Sequence, residues 1–167
     1  YKRQSRSWGK YPPEDLVRFV FKNFLNKGKK NIFALEIGCG TGANLWFLHR
    51  EGINVSGIDF SKHAINLTKK RLKFENGDLN LVEPDLVSGN FNILPWDVEE
   101  FNFVIDIYAM YSNKLESILK TVDEVNRVLK KDGFFYSKLW GKKTSGYGTG
   151  TKIEEGTYQD VQSGPCE

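Results

Sequence analysis

Two cysteines, two histidines and one methionine in 167 residues leave little material for several common chemistries. Cys39 lies inside a glycine-rich stretch and Cys166 close to the end, so a disulfide framework like that of small secreted domains is not expected. A reducing compartment, by default the cytoplasm, fits that usage. There is no cysteine pair, no His-Glu-Xaa-Xaa-His and no cluster of carboxylates, which sets metal sites aside. No serine sits in a glycine-flanked elbow of the hydrolase type. Apolar runs fall short of the roughly 20 residues that span a bilayer. The basic start Tyr1 to Lys10 lacks the apolar core of a signal peptide. Membrane partners are therefore not expected, and internal repeats are absent.

What is present is ordinary globular material, 40% hydrophobic and 27% charged. The length suits one domain, read here as residues 1–167. Within it, residues 1–12 form an N-terminal segment and 141–167 a loop-like tail, with the C-terminal part of the domain expected to lie outside this chain. The net charge of +3 gathers in clusters such as Lys27, Lys29, Lys30 and Lys69, Lys70, Arg71, Lys73. Solvated helix faces account for these more readily than a nucleic-acid partner does.

Pro12-Pro13-Glu14-Asp15 suits a first helical turn, and Leu16, Phe19, Val20 and Phe24 continue at helical spacing to about Asn26. Ile32 to Ile37 reads as a buried strand, Leu45 to Leu48 as a helix stopped by Gly52, and Ile53 to Asp59 as a second strand. Ser61 is placed to cap a helix through Ile65, Leu67 and Leu72. A turn at Asn76-Gly77-Asp78 precedes a short strand near Leu86 to Ser88. Phe101 to Ala109 reads as a strand and Leu115 to Leu129 as an amphipathic helix, stopped by Lys130-Lys131-Asp132-Gly133 before a strand from Phe134 to Trp140. This alternation predicts an α/β fold, a Rossmann-like doubly wound, mostly parallel sheet with helices on both faces.

Gly38, Cys39, Gly40 and Gly42 lie between the first strand and its helix, where backbone N–H groups can approach a ligand. Asp59 ends the second strand about 20 residues on, where a carboxylate can accept both hydroxyl protons of a ribose. The pair points to a nucleoside. Spacing alone leaves two classes open, because Gly38-x-Gly40-x-x-Ala43 also satisfies the looser dinucleotide fingerprint.

The string Leu35-Glu36-Ile37-Gly38-Cys39-Gly40-Thr41-Gly42 resembles the first motif of the class I S-adenosylmethionine-dependent methyltransferases. The resemblance implies that Glu36 organises the loop and the cationic methionine end of the cofactor. A carboxylate there would repel a diphosphate and so argues against NAD. Gly57-Ile58-Asp59-Phe60-Ser61 resembles the second motif, which puts Asp59 on the ribose and Phe60 beside the adenine. Gly89 to Trp96, followed by Phe101 to Asp106, resembles the third motif and fourth strand. That match sets Asn90 at the position of a usual Asp on the adenine amino group, with Phe91 against the ring and Asp106 near the methionine amino group. An Asn carbonyl can accept the same hydrogen bond. The start Trp8 to Pro13, with Arg18, resembles a segment that closes over the cofactor in some bacterial small-molecule methyltransferases.

No catalytic residue is assigned. His49, His63, Tyr108, Tyr111 and Glu99 are the titratable candidates for a base. Asp106-Ile107-Tyr108-Ala109 stands where an Asn-Pro-Pro-aromatic motif would announce methylation of an amide or base nitrogen. The expectation is methyl transfer from S-adenosylmethionine to a small-molecule acceptor. A cofactor-binding module without catalysis, an RNA methyltransferase and an NAD-dependent oxidoreductase are the alternatives.

Overall fold

The computed structural model describes residues 9–28, 31–75 and 82–161. Trp8, the Lys29-Lys30 pair and the expected turn at Asn76-Gly77-Asp78 lie outside them. The order of elements is α1 (Glu14–Val20), β1 (Phe33–Ile37), α2 (Ala43–Arg50), β2 (Asn54–Asp59), α3 (Lys62–Glu75), β3 (Asp85–Ser88), β4 (Phe101–Ile107), α4 (Leu115–Val128), β5 (Leu129–Lys138), β6 (Thr151–Glu154) and β7 (Thr157–Gln159). Strands β1 to β5 form one sheet in the order β3-β2-β1-β4-β5, every neighbouring pair parallel. This is the expected doubly wound architecture.

The central strand β1 is buried on both faces, as a parallel strand covered by helices must be. Its alternate residues feed two cores. Ala34 joins Leu16, Val20, Phe24, Leu45, Leu48, Ile65 and Leu72 of α1 to α3, through the π-helical turn that extends α1, on one face. Leu35 and Ile37 join Val125 and Val128 of α4 on the other. Glu36 shares the face of Ala34 by the two-residue period, so its carboxylate is directed to the α2 side.

Several boundaries differ from the sequence reading. The first helix widens into a π-helical turn over Phe21–Leu25; Phe19 of α1 and Phe24 of the turn both pack on Phe103, at 6.0 and 4.6 Å. Strand β4 ends at Ile107 rather than Ala109, because Asp106 Oδ1 accepts the Ala109 and Met110 N–H groups and turns the chain. Lys130 to Gly133 is not a separate helix stop: α4 passes directly into β5 through an irregular register, with Asp132 at a φ of 64°. The tail is not all loop, since β6 and β7 form an antiparallel hairpin across Glu155-Gly156. Short strands with mixed exposed residues carry no apolar period to read.

Candidate functional site

The strand order reverses between β1 and β4, and the crevice beyond their carboxyl ends is where open parallel sheets hold ligands. A cavity of about 400 Å³ lies there, lined by Glu36, the 38–41 loop, Asn44, Asp59, Phe60, Phe91 and Tyr108, and also by Gly9, Tyr11 and Pro13.

The loop between β1 and α2 is clamped from three directions. Its start is held by β2, since the N–H groups of Gly38 and Cys39 both donate to the Ile58 carbonyl, at 2.8 and 3.1 Å. Asp59 Oδ2 accepts the Gly40 N–H at 2.8 Å, and the Thr68 hydroxyl of α3 donates to the Gly40 carbonyl at 2.9 Å. Glycine is needed at Gly38 for two reasons. Its φ is 68°, and a Cβ would meet that of Ala109 at 2.2 Å. Gly42, at φ 76°, starts α2 against Thr68 in the same way.

Asp59 ends β2 with Oδ1 on the Ser61 N–H at 2.8 Å, while the Ser61 hydroxyl accepts the Ala64 N–H and caps α3 as expected. Each carboxylate oxygen thus spends one lone-pair site on backbone and has capacity for a ligand hydroxyl. Glu36 is buried, with Oε1 accepting from Asn44 Nδ2 at 2.6 Å and Oε2 without a hydrogen-bond partner. Burial pushes its pKa up to about 8, against the Asn44 hydrogen bond and helped by the charges of Asp59 and Asp106. Burial likewise raises the Cys39 thiol, with Glu36 and Asp59 adding to it, so it is no thiolate nucleophile.

Of the residues singled out in the sequence, Glu36, Gly38, Cys39, Gly40, Asp59, Phe60 and Phe91 come together around the cavity. Gly42, Asn90 and Asp106 are not among its lining residues. Asn90 is exposed and accepts the Asn92 N–H, forming a local turn. Asp106 is fully buried; beside its two backbone bonds, Oδ2 accepts from the Ser137 hydroxyl at 2.8 Å. Its visible work is to hold the β4 turn. His49 is buried at the end of α2 with a pKa lowered by that burial, His63 is exposed on α3, and Glu99 precedes β4 at the far end of the sheet. Tyr108 alone of the five candidate bases lines the cavity. Sequence reasoning missed Asn44 and Thr68, whose only signal was a polar side chain on the sheet-facing side of a helix. Residues 10 and 11 are tied down by Arg71, which donates to the Lys10 carbonyl, and by the edge contact of Tyr11 with Trp46. Arg18 pairs with Glu14 on the exposed side of α1.

Residues 34–133 match the family model described as a methyltransferase domain. The chain is 29% identical to an uncharacterized protein of Methanocaldococcus jannaschii, MJ1252, over 81% of this chain and 48% of that one. It is 28% identical to a protein of the same organism provisionally named a protein N5-glutamine methyltransferase, MJ0928, over 79% and 74%. It is 30% identical to the demethylmenaquinone methyltransferase of Oceanobacillus iheyensis, over 60% and 41%. Among solved structures, the S-adenosylmethionine-dependent methyltransferase of Methanosarcina mazei superposes with a TM-score of 0.60 at 24% identity, covering 68% of this chain and 54% of that one. The chain thus spans about half the length of several of the proteins it matches.

Proposed function

The chain belongs to the class I S-adenosylmethionine-dependent methyltransferase family, and from that premise we propose that it transfers the cofactor's methyl group to a small-molecule acceptor. The observation that carries the reading is the pair of carboxylates presented to one cavity by adjacent strands, Glu36 of β1 and Asp59 of β2. Glu36 Oε2 is a buried acceptor with no donor, on a group whose ionisation is opposed by burial and by two neighbouring acids. A ligand that brings positive charge relieves that arrangement, and a diphosphate aggravates it. S-Adenosylmethionine carries both an ammonium and a sulfonium, so the pair of carboxylates fits it.

In this reading Glu36, with Asn44 fixing its carboxylate, faces the methionine end, and the 38–42 loop packs along it. Asp59 accepts from the ribose, while Phe60 and Phe91 flank the base. Asn90 and Asp106 act through the loops they shape. When bound, the cofactor supplies an electrophilic methyl on a good leaving group, so the chain contributes mainly by holding and orienting the reactants and excluding water. The demethylmenaquinone enzyme among its relatives acts on a small molecule, in keeping with this acceptor class. The relative named for glutamine favours a protein acceptor instead. Against it stands the strand end Asp106-Ile107-Tyr108-Ala109 in place of an Asn-Pro-Pro-aromatic motif.

Calorimetric titration with S-adenosylmethionine, S-adenosylhomocysteine and NADH, with Asp59→Ala for comparison, tests the cofactor assignment. Both sulfur nucleosides are expected to bind, at least tenfold more weakly in the variant. A preference for NADH would overturn the reading. Methyl transfer to glutamine-containing peptides and to no small hydroxyl or amino compound would replace the acceptor class.

A further inference from the structure

Strands β3 and β4 are joined by residues 89–100, a connection that forms neither helix nor strand. It starts at the edge of the sheet and passes β2 and β1 to reach β4. Phe91 is its contribution to the cavity wall. That residue sits in a turn, where the Asn92 N–H donates to Asn90 Oδ1 at 3.0 Å and the Ile93 N–H to the Asn90 carbonyl at 3.2 Å. Backbone outside a helix or ladder opens readily unless side chains tie it down.

The ties come from α4, 25 to 33 positions later in the chain. Asn92 Nδ2 donates to Ser117 Oγ at 2.8 Å. The Thr121 hydroxyl lies 2.8 Å from Asn92 Oδ1 and equally far from the Ser117 carbonyl, so its one proton is shared between them. Thr121 is fully buried, where a hydroxyl finds its partners within the protein. One turn further along, Arg127 grips the Glu124 carboxylate through Nε and Nη2 at 2.7 and 2.8 Å. Arg127 also donates to the Trp96 and Leu94 carbonyls at 2.8 and 2.9 Å, while Glu124 accepts the Leu94 N–H at 2.7 Å. Leu94 and Trp96 are buried in the core under α4, so this second tie belongs to the fold. The first tie is made at the residue next to Phe91.

Resting on the reading in which Phe91 flanks the base of the cofactor, we propose that Asn92 and Thr121 are positioning residues for S-adenosylmethionine. Their bond fastens the Asn90 turn to α4 and holds the Phe91 ring at the cavity before the cofactor arrives. Order already present in the free protein does not have to be created on binding, so affinity rises. Neither Asn92 nor Thr121 lines the cavity, and both act through Phe91.

The test is calorimetric titration of the chain with S-adenosylhomocysteine. Phe91→Ala is expected to weaken binding about tenfold, as loss of a ring beside a base does. Thr121→Val keeps the shape, removes the hydroxyl and is expected to weaken binding about fivefold. Thr121→Ser restores the hydroxyl and is expected to stay within about twofold of the parent. Added to Phe91→Ala, Thr121→Val is expected to weaken binding by less than about twofold more, because the ring through which it acts is gone. Asn92→Ala removes the same bond from the loop side and is expected to repeat the pattern of Thr121→Val, alone and with Phe91→Ala. Unchanged affinity in either variant, an equal loss in Thr121→Ser, or the whole loss persisting on top of Phe91→Ala would overturn the proposal. Unchanged affinity in Phe91→Ala would instead sink the placement of Phe91 at the base, and this proposal with it. Failure of the parent chain to bind would sink the cofactor reading, a result distinguishable from all of these.

Discussion

Glu36 of β1 and Asn44 of α2 meet at 2.6 Å across the glycine loop, and the other oxygen of Glu36 meets no donor. A carboxyl group so placed ionises at a cost, and its pKa rises from 4.5 to about 8. Its folded-state pKa lies above its unfolded one, so its contribution to stability is fully present below pH 4.5 and is lost as pH climbs to about 8. Glu36→Gln removes that titration while keeping an oxygen for Asn44. The ligand-free variant is therefore expected to match the parent near pH 4.5 and to exceed it by a few kcal/mol at pH 8. Thermal unfolding at the two pH values measures this, and a gap independent of pH would contradict it. The same variant is expected to bind S-adenosylmethionine more weakly.

Gly38 stands 2.2 Å, measured from a would-be Cβ, from the side chain of Ala109 in the turn after β4. Gly38→Ala combines a left-handed backbone with a clash between two strand ends, at a cost of about 2–4 kcal/mol. Urea denaturation reads the loss. The double variant Gly38→Ala with Ala109→Gly is expected to recover the part due to the clash and to leave the backbone part; no recovery would show that Ala109 is not the obstacle.

Much of this site was legible because its signals are local. A buried run ending in Gly38, Gly40 and Gly42, and Asp59 closing the next strand, are sequence-adjacent patterns whose geometry follows from strand, turn and helix. The convergence of Asn44, Thr68 and Tyr108 was not legible as a group. Asn44 and Thr68 are single polar residues on apolar faces, and the left-handed Tyr108, with a φ of 59°, depends on Asp106 and Lys138, the latter 30 positions away. Asp106 itself was placed near the cofactor from its position at a strand end. Its three bonds inside the protein come from Ala109, Met110 and Ser137, and only the last of these lies on a different strand.

The hairpin of β6 and β7 shows how a segment without apolar periodicity can still be anchored. Helix α4 begins at Leu115 after Lys114, whose side chain caps nothing. The vacancy is filled from 39 residues away: Glu154 Oε1 accepts the Leu115 N–H at 2.5 Å and the Thr157 hydroxyl at 3.1 Å. A carboxylate at a helix N-terminus satisfies a donor and meets the positive end of the dipole, together about 1 kcal/mol. Glu154→Ala is thus expected to lose about that much stability. It is also expected to speed amide exchange at Leu115 and in residues 151–159, while exchange in β1 and β4 and the affinity for S-adenosylhomocysteine stay unchanged. Glu154→Gln keeps an acceptor without the charge and is expected to retain part of the protection. If Glu154→Ala left exchange at Leu115 unaltered, the hairpin would be held by something other than the α4 N-terminus.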